Sequence, residues 1–214
     1  MAKVLILGAN GKIARLAEHI FVDTTDTDLR LYLRDAGRLK DFTDSHTLLE
    51  TVEGDTTDVK TLIQAMKDID VVYANLAGDN IEDQAKAIVE AMHAENKKRL
   101  IWISTLGIYD EVPGKFGEWN KKILGDYITR YAAAAKVIED SDLDYTIIRP
   151  AWLTDKPEVD YEVTQKDEQF KGTEVSRRSV AQVVVDITQD PAKFSRESIG
   201  LNKPNTDGDK PAWY

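Results

Sequence analysis

"KVLILGANGKIA", Lys3 to Ala14, decides the fold. "KVLIL" is a short apolar run that reads as a buried strand. The stripe after its glycines, Ile13, Leu16, Ala17, Ile20 and Phe21, has the i, i+3, i+4, i+7, i+8 spacing of one helix face. Between them "GANGKIA" (Gly8 to Ala14) turns strand into helix, as a pyrophosphate site requires. Gly8 allows the tight turn, Gly11 lets backbone approach a phosphate, and Ala14 keeps the helix close to the sheet. Asn10, Lys12 and Ile13 complete the turn and the helix start, whose N–H groups face an anion. A plain tight βα turn would look similar; the strand before and the helix after favour nucleotide binding.

The same alternation continues outward. Leu29 to Leu33 is a strand with Leu29, Leu31 and Leu33 inward, and a short strand is expected near Thr47 to Val52. Asp58 caps a helix striped by Val59, Leu62, Ile63 and Met66, and "DVVYANL" (Asp70 to Leu76) is a further buried strand. Asp79 or Asn80 caps the helix carrying Ile81, Ala85, Ile88, Val89 and Met92, and "RLIWIS" (Arg99 to Ser104) is strand five. A Gly- and Pro-containing loop, Gly107 to Gly117, leads to one long helix with Ile123, Tyr127, Ile128, Tyr131, Ala135 and Ile138. "DYTIIRP" is strand six, Ser179 caps a helix with Val180, Val183, Val184 and Ile187, and "SIGLN" reads as a last strand before a polar tail, residues 203–214. Apolar strands separated by amphipathic helices predict an α/β fold: a parallel sheet with helices on both faces and right-handed crossovers. One domain spanning 1–214 is expected, residues 154–176 forming a small substrate-side cap.

Composition excludes several classes of function. The chain has no cysteine, hence no disulfide, thiolate metal site or thiol nucleophile, and its three histidines share no ligand spacing. A formal net charge of −10 argues against nucleic acid as a partner. No apolar run approaches membrane-spanning length and no leader precedes the first strand, so a cytoplasmic protein is expected, monomer or homodimer, acting on a small molecule.

"LILGANGKIA", "YLRDAGRL", "EGDTTD", "WISTLGIY" and "LDYTIIRPAWLTD", in this order over positions 5–155, resemble the atypical short-chain dehydrogenase/reductases, especially the NmrA-like and flavin/biliverdin-reductase-like NAD(P)H-binding proteins; "VSRRSVAQVV" extends the likeness to about Val184. The resemblance implies a doubly wound Rossmann core, NADP(H) on the glycine turn and a substrate pocket over the strand ends. It implies that Arg34, after strand two, and Arg38, in the following turn, hold the 2'-phosphate of NADP. A guanidinium offers a planar fork of donors to a dianion. The alternatives are that Arg34 pairs with nearby acids, or that Asp35 serves a ribose diol. Asp55 and Thr56 of "GDTTD" stand at the adenine side, a turn that equally reads as a helix N-cap. Asn75, Leu76, Ala77 and Gly78 pass beneath the cofactor, and Pro150 and Trp152 line its nicotinamide end, though Trp152 reads as well as an aromatic packing a loop.

The wider short-chain family reduces carbonyls with a serine near the end of strand five and a Tyr-x-x-x-Lys on the next helix. Ser104 matches the serine and contacts the nicotinamide side; Tyr127 is the candidate tyrosine, with Tyr131 where the lysine is expected and Lys136 out of register. Tyr127 and Tyr131 also fall on the apolar stripe, as core residues do. Tyr109, on the loop after strand five, is a further donor candidate. Two functions follow: an NADPH-dependent reductase delivering hydride to a conjugated acceptor such as a flavin or quinone, or an NADP(H)-sensing regulator acting through a protein partner. Sugar-nucleotide epimerisation, which needs an intact Tyr-Lys pair, ranks below both.

Overall fold

The computed structural model describes residues 2–46 and 49–214. β1 (Lys3–Leu7) is fully covered beyond its first residue because helices lie over both of its faces, and it pairs in parallel with β2 (Asp28–Leu33) on one side and β4 (Val71–Ala74) on the other. β3 (Glu50–Glu53) adds an exposed edge beyond β2, while β5 (Arg99–Ile103), β6 (Asp144–Pro150) and β10 (Glu197–Asn202) extend the other half. With β8 (Glu162–Thr164), antiparallel to β10, the sheet order is β3-β2-β1-β4-β5-β6-β10-β8. The order reverses at β1, so β1 and β4 flank the switch point where such sheets bind ligands.

One face is covered by α1 (Lys12–Thr24) and α7 (Arg177–Gln189), which bury Ile13, Ala17, Phe21, Val180, Val184 and Ile187 against Val4, Ile6, Leu29, Leu31 and Ile148. α3 (Val59–Ala65), α4 (Ile81–Ala94) and α6 (Asp126–Glu139) cover the other, over Leu5, Leu7, Val72, Trp102 and Ile147. This is the doubly wound α/β arrangement expected from the alternation of patterns.

Several boundaries differ from the sequence reading. Strand three starts at Glu50; Thr47 and Leu48, part of the expected strand, lie outside the described residues. The loop from Gly107 gives way to helix already at Gly114, and the expected single helix is two, α5 (Gly114–Leu124) and α6, broken at Gly125 with φ +50° and ψ −126°, a conformation open to glycine. α7 is capped by Ser176, whose Oγ accepts from the Ser179 N–H, while the Ser179 hydroxyl is buried against Ser176 Oγ. Residues 152–176 also contain a small parallel pair, β7 (Trp152–Thr154) with β9 (Glu174–Ser176). The polar tail carries no helix or strand but is tied down, Lys203 N–H donating to Glu174 O at 2.7 Å and Thr173 N–H to Thr206 O at 3.1 Å. No helix among the described residues is long and apolar enough to cross a membrane.

Candidate functional site

The turn after β1 is built around Asn75, at the end of β4. Gly8 sits at φ +76°, and a Cβ there would come within 2.3 Å of Asn75 O; one on Gly11 would lie 2.0 Å from Asn75 Nδ2. The space that Gly11 was expected to leave for a phosphate is therefore shared with the Asn75 amide. Asp58 and Ser176 cap α3 and α7 with side-chain oxygens, whereas α1 starts from Gly11 with no such cap. Its first N–H groups face outward as donors for an anion, with the positive end of the helix dipole behind them.

Beyond β2 the chain forms a tight 3₁₀ turn, Ala36–Leu39. Asp35 Oδ1 accepts from Gly37 N–H at 3.1 Å and Glu53 Oε1 from Ala36 N–H at 2.7 Å, so both acids are bonded to the turn. The side chains of Arg34 and Arg38 are exposed, and among the described residues neither lies within 4.0 Å of a carboxylate oxygen. Tyr32, buried in β2, donates to Asp55 O at 2.8 Å and fixes the loop after β3. Burial, then Asp58 and Asp55, push its phenol up to about 12, so it remains a donor at neutral pH. Hydrogen bonds from Thr57 hold the Asp55 carboxyl below the usual range, with Arg34 adding to the effect. Thr56 Oγ1 donates to Gln84 Oε1 at 2.7 Å, and Gln84 Nε2 donates to Asn80 Oδ1 at 2.9 Å and Ala77 O at 3.2 Å, closing the floor.

Together these walls enclose a cleft of about 440 Å³. It brings together Gly8, Asn10, Gly11, Arg34, Arg38, Asp55 and Thr56 with Leu76, Ala77 and Gly78. Asn75, Asn80, Gln84 and Tyr32 line it as well; Asn75 opens the stretch expected beneath the cofactor and Asn80 was read as a helix cap, whereas no sequence pattern pointed to Gln84 or Tyr32. Lys12 and Ile13 do not line it: Lys12 Nζ projects to within 3.8 Å of Asp155, and Ile13 is buried in the core.

The other candidates lie over β5 and β6. Ser104 donates its N–H to Ile148 O at 2.7 Å, and its buried hydroxyl has no partner among the described residues. Pro150 is buried at the end of β6, and Trp152 donates Nε1–H to Asn120 Oδ1 at 2.9 Å. Tyr127 and Tyr131 stack with ring centroids 4.1 Å apart, and the Tyr131 hydroxyl donates to Leu76 O at 3.2 Å. Burial raises both phenols above the ordinary tyrosine value. Lys136 is bonded to Asp140 at 2.8 Å, away from either tyrosine. Tyr109 lies outside the cleft, donating to Glu139 at 2.8 Å beneath Lys166 and beside the buried Arg149–Glu111 pair.

A family model described as NAD(P)H-binding matches residues 8–191, from the glycine turn through α7. The chain belongs to this NAD(P)H-binding family. A Rossmann-fold NAD(P)-binding family protein from Shigella flexneri is 40% identical, with a TM-score of 0.83 over 99% of this chain and 98% of that one. A short-chain dehydrogenase/reductase from Veillonella parvula, solved in complex with NADP, is 31% identical with a TM-score of 0.92 over 99% of both chains. An uncharacterized sugar epimerase of Bacillus subtilis, YhfK, is 27% identical over 98% of this chain and 96% of its own. The NAD(P)H-binding family resemblance and the Rossmann-type fold read from the sequence thus hold. The residues present also fit a dinucleotide: an uncapped helix start, a turn in which a Cβ at Gly8 would collide with backbone, and two exposed guanidinium groups without acidic partners among the described residues.

Proposed function

We propose that the protein is an NADPH-dependent reductase whose acceptor is a small conjugated molecule such as a flavin or a quinone. The observation that carries the cofactor choice is the pair Arg34 and Arg38, exposed on the cleft wall while the neighbouring acids Asp35 and Glu53 are bonded to backbone. Each acid commits a carboxylate oxygen to a backbone N–H, which lessens its competition with a 2'-phosphate for the two guanidinium groups. Asp35, which also lines the cleft, has its Oδ1 engaged by the Gly37 N–H, and this weakens it as an acceptor for the ribose diol that marks an NAD site. The NADP complex of the Veillonella relative supports the same choice.

The acceptor class follows from the tyrosines. A proton relay to an alkoxide calls for a phenol made more acidic by an ammonium. Here Tyr131 stands at the lysine position, stacked on Tyr127, and burial moves both phenols the other way. The same geometry weighs against an epimerase reading suggested by the name of the Bacillus relative. When bound, reduced cofactor supplies two electrons and one hydrogen as hydride; the second hydrogen of the reduced acceptor is a proton from water. The chain's own part is alignment: α1 and the two arginines hold the adenosine half, Leu76 to Gly78 support the cofactor from below, and Ser104 offers an unpartnered hydroxyl at the end of β5.

The test is oxidation of NADPH, followed by loss of its absorbance, against FMN, menadione and a simple ketone. The proposal requires turnover with FMN or menadione and little with the ketone. Robust ketone reduction that collapses in Tyr127→Phe would restore the proton-relay mechanism and refute it.

A further inference from the structure

The glycine turn makes room for a side chain from the neighbouring strand. Ala74, the last residue of β4, is paired with Leu7, and the next residue, Asn75, donates its N–H to Leu7 O at 2.9 Å. One residue more of ladder lays Asn75 across the turn. Its carbonyl stands where a Cβ on Gly8 would need to go, and its Nδ2 lies 2.0 Å from the position of a Cβ on Gly11. Gly11 has φ −69° and ψ 148°, extended backbone that any residue adopts. Its conformation does not call for glycine; the contact with Asn75 does.

That amide is a free donor on the cleft wall. Asn75 is half-buried, and its side chain makes no hydrogen bond among the described residues, whereas Asn80 and Gln84 on the same wall are bonded to each other and Gln84 also to Thr56. Gly8 O lies 3.2 Å from the same Cβ position on Gly11, so an amide oxygen turned this way would face a carbonyl, and nitrogen is the atom that belongs there. A second set of donors stands beside it. α1 begins from Gly11 with no side-chain cap, so the N–H groups of its first turn are left without helical partners. A dinucleotide lays its pyrophosphate on such a helix start.

We propose that Asn75 Nδ2 is a ligand of the cofactor's pyrophosphate, completing the donor set at the start of α1, and that Gly11 is glycine to admit this amide and not the phosphate itself. The inference rests on dinucleotide binding in the cleft and is independent of the acceptor. Both NADPH and NADH carry the pyrophosphate, so Asn75 governs affinity for either and leaves the preference between them untouched.

The experiment is calorimetric titration of NADPH and of NADH into the unmutated protein, Asn75→Ala, Asn75→Asp, Gly11→Ala and the double variant Gly11→Ala with Asn75→Ala. Asn75→Ala should weaken both cofactors roughly tenfold to a hundredfold, the range of one hydrogen bond to a charged group, with their affinity ratio unchanged. Asn75→Asp keeps the size, sets a carboxylate against the pyrophosphate and should weaken both further. Gly11→Ala displaces the amide and should lose about as much as Asn75→Ala; in the double variant no amide is left to displace, so the two losses should not add. Unchanged affinity in Asn75→Asp, or equal losses in the alanine and aspartate variants, overturns the ligand. Loss confined to NADPH would move Asn75 to the 2'-phosphate and overturns it as well. Losses that add in the double variant restore the phosphate as the reason for Gly11 and overturn that half of the proposal. An unmutated protein that binds neither dinucleotide removes the cofactor assignment, and the ligand with it.

Discussion

Glu18→Gln should make the protein progressively more stable than its parent as pH rises. Glu18 lies on the inner face of α1, fully buried between Ala14, Ala17 and Phe21. Its Oε2 is 2.5 Å from Arg15 Nη1, and its Oε1 has no partner among the described residues. Burial outweighs the attraction of Arg15 and raises the carboxyl from 4.5 to about 8. The folded state therefore keeps a proton that the unfolded chain releases above about 4.5. Where the native state binds more protons than the unfolded one, stability falls with rising pH. The contribution is intact below pH 4.5 and is lost as pH climbs through about 8. At about 1.4 kcal/mol per tenfold change in proton affinity, the full window is worth about 4 to 5 kcal/mol. Glutamine keeps the shape and carries no titrating proton. Urea denaturation of both proteins from about pH 5 to about pH 9 should show the difference in unfolding free energy, variant minus parent, rising by several kcal/mol. A difference that stays flat across that range would refute the claim that Glu18 is held neutral in the fold.

Three other perturbations read separate parts of the structure. Arg149→Met leaves Glu111 buried without its cation, 2.5 Å away in the native protein, and should cost about 3 to 5 kcal/mol in denaturation; adding Glu111→Gln, which removes the charge and keeps an acceptor for the Gly107 and Tyr109 N–H groups, should recover part of it. Gly8→Ala puts a methyl 2.3 Å from Asn75 O at a positive φ, so cofactor titration should show binding weakened by at least tenfold, with undiminished affinity as the contrary result. Tyr127→Phe removes a phenol already made a poor acid by burial and should leave the rate of NADPH oxidation by menadione within about twofold.

Much of the cleft was legible because its parts are local. Gly8, Gly11 and Arg34 each stand next to a strand whose apolar run is unmistakable, and that position alone puts them on the cleft. Gln84 and Tyr32 were not legible: each looks like an ordinary strand or helix residue, and its place on the cleft comes from pairing between β1 and β2 and from hydrogen bonds to partners 23 and 28 residues away in sequence. The break at Gly125 was hidden because apolar residues on both sides keep helical spacing through it. β7 and β9 are three-residue strands without an apolar alternation, and Trp213 and Tyr214 sit in a polar stretch whose docking on Trp119 and Trp152 is purely tertiary.

The most direct test of the account is a parallel titration of NADPH and NADH into the unmutated protein and Arg34→Ala. One or two charge-assisted hydrogen bonds to the 2'-phosphate, at about 1.5 to 3 kcal/mol each, predict NADPH binding tighter than NADH by roughly tenfold to a hundredfold or more. Arg34→Ala should narrow that gap while leaving NADH affinity unchanged. Equal affinities for the two cofactors in the unmutated protein would contradict the assignment of Arg34 and Arg38, and with it the NADPH-dependent reductase.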